Sequence, residues 1–101
     1  MKFGLTEAHW SIIETHLIDP LKKHGAQVWI FGSRARGDYR QFSDLDVLYS
    51  LSGPLPSGLI AKINEDMENS DLPIKIDIVS LEDLAESYRQ NVLTDRILVT
   101  R

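Results

Sequence analysis

Residues Phe31 to Asp46 read FGSRARGDYRQFSDLD, and they constrain the chain more than any other stretch. The apolar run Val28-Trp29-Ile30-Phe31 reads as a buried strand that stops at Gly32-Ser33. Glycine permits a tight turn there, and Arg34 to Gly37 reads as a short helix that Gly37 ends. Ten residues, 34 to 43, separate the Gly-Ser pair from Asp44-Leu45-Asp46, where a second apolar strand opens. Side chains two apart on a strand share a face, so both carboxylates are expected on one side.

A third run, Ile74 to Val79, alternates strictly: Ile74, Ile76 and Ile78 against Lys75, Asp77 and Val79. If the second and third strands are close in the sheet, Asp44, Asp46 and Asp77 converge. Three carboxylates without a cation repel one another and resist ionisation. A divalent metal relieves that, and all-oxygen ligation suits magnesium or manganese. Gly32 lets a ligand approach the backbone, and Ser33 offers a hydroxyl and an N–H at a helix start, where anions are favoured. Arg34, Arg36 and Lys75 are cations able to neutralise a triphosphate, although a solvated surface position fits each equally well. An Asp-x-Asp or a Gly-Ser pair alone carries little meaning. The combination at this spacing, with a third aspartate on an alternating strand, favours a phosphoryl- or nucleotidyl-transfer site.

The rest of the chain supplies a scaffold. Thr6 can cap a helix whose stripe is Trp10, Ile13, Leu17 and Leu21; Pro20 should bend or interrupt it, and Gly25 should end it. Residues 52–58 are a proline- and glycine-rich loop. Leu59, Ile60, Ile63 and Met67 mark an amphipathic helix ending near Asn69-Ser70. Ser80 can cap a last helix with Leu81, Leu84, Ala85, Tyr88 and Val92 inward, and Ile97 to Val99 reads as a short edge strand. The expected fold is α/β (α+β), a sheet of three to four strands backed by helices, in a single domain over 1–101. With 101 residues and a net charge of −4, broad nucleic-acid binding through a basic surface is disfavoured. The absence of cysteine excludes disulfides and thiolate metal sites, and the three histidines lack the spacing of a zinc site. No signal pattern or membrane-length apolar run is present, so a cytoplasmic, soluble protein with no membrane association is expected.

FGSRARG followed by SDLDVL resembles the signature of the polymerase-beta-like nucleotidyltransferase superfamily, in its smallest branch, the minimal nucleotidyltransferase (MNT) domains. SDLPIKIDIV, residues 70–79, is similar to that branch's third-carboxylate strand. The resemblance implies the polymerase-beta-like fold, metal binding by Asp44, Asp46 and Asp77, and nucleotide phosphates on Gly32 and Ser33. It also implies a small all-helical partner, a HEPN-type toxin or a substrate-binding protein. In several such pairs the transferase is the antitoxin and moves AMP from ATP to a tyrosine of the toxin. A chain this short leaves few residues for an acceptor pocket, which agrees with a borrowed acceptor site. Two rivals keep parts of this: transfer to a small molecule or an RNA end, and an antitoxin that masks its partner without catalysis.

Overall fold

A computed structural model describes residues 2–99. Thr6 accepts a hydrogen bond from the His9 backbone N–H at 3.1 Å and so caps α1, Glu7–Ile13. A cap of this kind contributes about 1 kcal/mol. The helix then widens into a π turn, Glu14–Ile18, before α2, Asp19–Lys23. Pro20 is the cause. It has no N–H to give, and its ring would strike the carbonyl four residues back. The ladder answers by lengthening its step, so the Asp19 N–H reaches the Glu14 carbonyl. The expected interruption is therefore a wide turn rather than a break. It lets the consecutive side chains Leu17 and Ile18 both be fully buried. Gly25, at φ +90°, ends α2. Its N–H reaches the Lys22 carbonyl at 2.9 Å, and the Ala26 N–H reaches that of Leu21 at 3.1 Å.

Four strands follow: β1 Gln27–Phe31, β2 Leu45–Ser50, β3 Ile76–Ser80 and β4 Ile97–Leu98, in the sheet order β3-β2-β1-β4. β1 is antiparallel to β2 and β4, while β2 and β3 are parallel. A parallel pair needs a crossover, and α4, Leu59–Glu68, provides it with Ile63 and Met67 buried. β3 begins at Ile76, two residues later than the alternation suggested, although the Lys75 carbonyl already accepts from the Leu45 N–H.

The two faces of the sheet differ. On one, Val28, Ile30, Leu45, Val47 and Ile76 join Ile13, Leu17, Ile18, Leu21 and Ile63 in the main core. On the other, a small cluster of Trp29, Leu48 and Val92 gathers Phe31, Val79, Leu81 and Leu84 around it. The last helix differs from the sequence expectation. Ser80 leads into a 3₁₀ turn, Leu81–Asp83; the chain extends at Leu84 and Ala85, and only then forms α5, Glu86–Asp95. The turn lets the Glu82 carboxylate reach back to the Ser50 hydroxyl at 2.7 Å and the Leu51 N–H at 3.3 Å. It also moves Tyr88 out of the predicted inner face, leaving it 66% exposed, while Val92 stays buried.

Candidate active site

The sparsely covered face carries the acids. In the pairing register Phe31 lies opposite Asp46, and Asp46 opposite Asp77. Side chains alternate along each strand, so Asp46 and Asp77 share a face with Trp29 and Leu48, whereas Leu45 and Ile76 enter the main core. Asp44 differs slightly from its expected place. β2 begins at Leu45, so Asp44 is the last loop residue and is exposed. Its charge still acts on Asp46. Burial, then Asp77, then Asp44 push the Asp46 carboxyl up to about 6, and only Arg36 opposes them. Three acids whose fields overlap in this way store charge that a cation would relieve.

Gly32 follows Phe31 and turns the chain at φ +76° into α3, Ser33–Arg36. A Cβ at Gly32 would collide with the Asp46 carboxylate. Only glycine both adopts this conformation readily and lets the acid pack against the turn. The Gly32 carbonyl accepts from the Ala35 N–H at 3.1 Å and the Arg36 N–H at 3.0 Å. The leading N–H groups of such a helix have no intrahelical partner and can meet an anion. Gly37, at φ +90°, closes α3.

The three candidate phosphate cations separate. Arg34 belongs neither to a solvated face nor to an open phosphate site, and this corrects both expectations for it. It is 3% exposed and donates to three backbone carbonyls: Phe3 at 2.8 Å, Ser43 at 2.9 Å and Gln41 at 3.2 Å. Tyr39 covers its guanidinium, 4.8 Å from the ring centre. Arg34 thereby holds the loop that delivers Asp44. Arg36 is more open and donates to Asp38 at 3.2 Å and Asp95 at 3.0 Å, which hold it firmly charged. Lys75 has a side chain 75% exposed, with its ammonium 3.9 Å from Asp77.

Three hard carboxylates, Asp46 paired with Asp77 across the sheet and Asp44 two residues before Asp46, are a donor set that suits magnesium. The fit lies in chemistry and register, not in a closed cage. Among the described residues no three acidic or histidine side chains gather tightly enough to grip one ion. A cleft of about 340 Å³ borders Asp77 between β3 and α4, with Lys75, Asn64 and Glu68 in its wall. The sequence pointed to Asp44, Asp46 and Asp77, and the charges of Asp44 and Asp77 both act on Asp46. It gave no sign of Asp95, which reaches Arg36 from 59 positions away. No helix among the described residues is long and apolar enough to cross a membrane.

The family model for polymerase beta nucleotidyltransferases matches residues 16–101. The chain is 33% identical over 63 residues to a curated relative, the probable protein adenylyltransferase MntA of Haemophilus influenzae. That stretch covers 62% of this chain and 55% of the relative, so the match spans little more than half of its length. A solved minimal nucleotidyltransferase superposes with a TM-score of 0.71 at 32% identity, covering 98% of this chain and 97% of that one. A toxin–antitoxin structure with AMP-PNP superposes with a TM-score of 0.65 at 22% identity, covering 84% of this chain and 70% of that one.

Proposed function

This chain belongs to the polymerase beta nucleotidyltransferase family, and from that premise we propose that it moves AMP from ATP to a tyrosine hydroxyl of a helical, HEPN-type partner, as the antitoxin of the pair. One observation carries the reading. Asp46 is wedged between the Gly32 turn and Asp77, with its carboxyl pushed up to about 6. Such crowding of acids is unfavourable for folding alone and useful where a cation and a phosphate chain must meet. The relatives support the rest: one is a probable protein adenylyltransferase, and one is a toxin–antitoxin structure with AMP-PNP.

The triphosphate lies along Gly32 and Ser33, where the missing Cβ allows approach and the N–H groups at the start of α3 face the oxygens. Asp44, Asp46 and Asp77 would hold magnesium, which would supply neutralisation of the charge that develops on the phosphates. Arg36 adds a positive charge beside Asp46. The acceptor passes the free edge of β3, where Asp77 receives the hydroxyl proton. The hydroxyl oxygen bonds to the α-phosphorus as the bond to pyrophosphate breaks. AMP is then joined to the acceptor, and pyrophosphate leaves with its electron pair. Arg34 has no part in this beyond shaping the loop before Asp44.

The test mixes this protein, the protein encoded beside it as candidate partner, labelled ATP and magnesium. Label should enter the partner, and both Asp44→Asn and Asp46→Asn should slow it about 100-fold or more, the scale of losing a main electrostatic stabiliser. Label in a small product or an RNA end would move the acceptor elsewhere. Neutralisation of the partner that survives both substitutions would replace transfer with masking.

A further inference from the structure

We propose that Asp95 is a positioning residue: it holds Arg36 beside the nucleotide site, so that the end of α5 helps to build the phosphate cradle. The inference rests on the adenylyl-transfer reading above. Arg36 closes the short helix that follows Gly32-Ser33, and it is the cation whose charge reaches Asp46. An arginine there gains little unless its long side chain is restrained, because about 2 kcal/mol of rotamer freedom must be given up on binding a ligand. Asp95 provides the restraint. Its carboxylate takes the Nη1 donor at 3.0 Å, and its side chain is only 25% exposed, against 63% for Asp38, the other partner, which takes Nε. Among the described residues Nη2 has no partner, so a planar donor remains for a phosphate oxygen.

Asp95 can act this way because its own position is fixed. It lies between two anchors on the sheet. Val92 is buried against Trp29 and Leu48, and the Arg96 guanidinium lies 4.4 Å from the centre of the Trp29 ring. Its N–H also reaches back to the Val92 carbonyl at 3.0 Å, closing the helix. Among the described residues the opposite end of α5 is more open: Tyr88 is 66% exposed, and Leu84, just before the helix, packs on the small cluster. The fastened end is the one that touches Arg36.

The experiment is a double-mutant cycle on the whole protein, read by AMP-PNP titration with magnesium and by the ATP dependence of partner labelling. Asp95→Ala and the milder Asp95→Asn should weaken AMP-PNP binding about fivefold and raise KM for ATP by the same factor, with kcat within about twofold of wild type. Asp95→Glu should restore most of the affinity. Adding Asp95→Ala to Arg36→Ala should cause no further loss. A melting curve of Asp95→Asn showing a folded protein at the assay temperature separates this from unfolding. Wild-type affinity in both Asp95 variants, tighter binding in either, or an additive loss in the double variant overturns the proposal while leaving adenylyl transfer intact. A wild-type protein that neither binds AMP-PNP nor labels the partner overturns both.

Discussion

Replacing Asp46 with asparagine should make the metal-free protein more stable while ending its chemistry. The carboxyl is raised from 3.8 to about 6, by burial first and then by Asp77 and Asp44. A shift of one pKa unit corresponds to about 1.4 kcal/mol, which bounds the effect near 3 kcal/mol. Asp46 is only half-buried, and screening by solvent reduces this to about 1–2 kcal/mol. The sign follows from proton counting. Between about pH 4 and pH 6 the folded protein holds a proton that the unfolded chain has released, so stability falls as pH rises through that window. At neutral pH with EDTA the asparagine variant should melt about 4–10 °C above wild type. The gap should narrow as pH falls and close below about pH 3, where the carboxyl is protonated in both the folded and the unfolded chain. Magnesium should raise the melting temperature of wild type by mass action and that of the variant much less. Thermal melts followed by circular dichroism decide the matter. A variant that melts at or below wild type at neutral pH in EDTA would show that the acids do not crowd one another.

Four further substitutions test the frame around the acids. Gly32→Ala places a methyl group against the Asp46 carboxylate at φ +76°, and should lower stability by about 1–3 kcal/mol in urea titration and abolish nucleotide binding. Arg34→Met removes the donor from the carbonyls of Phe3, Gln41 and Ser43; a loss of about 3 kcal/mol is expected, with activity falling in step with the folded fraction. Leu17→Ala, in the π turn, should cost about 2–5 kcal/mol, whereas Tyr88→Ala should stay within about 0.5 kcal/mol of wild type by the same measurement.

The parts legible in the sequence were those written locally. The Val28–Phe31 run, the Gly-Ser turn, the short helix to Gly37 and the alternation through Asp77 each depend on residues a few positions apart. Their convergence could be anticipated because strand parity fixes which side chains share a face. Arg34 was not legible, because its three acceptors are main-chain atoms at residues 3, 41 and 43, and no residue type announces a carbonyl. Pro20 announced a disturbance but not its form. A break and a π turn begin from the same missing N–H, and the choice rests on how much apolar surface the wider turn buries, here Leu17 and Ile18. The last helix misled for a related reason. Its stripe from Leu81 to Val92 looks continuous, yet Glu82 is drawn back to Ser50, and Leu81 and Leu84 settle on the sheet without helical spacing.

The unequal dressing of the sheet has a mechanical consequence. One side is sealed by a deep apolar layer, so the strands bearing Asp46 and Asp77 behave as a stiff plank. Among the described residues the other side is covered more thinly, by Val92 with Leu81 and Leu84, by Arg96 on Trp29 and by the Arg36–Asp95 pair. Amide hydrogens of residues 86–95 should therefore exchange with solvent much sooner than those of β1 and β2, through excursions that leave the plank whole. A visiting molecule can then push aside the loose start of α5 at small expense, while its fastened end keeps Arg36 in place and the acids keep their spacing.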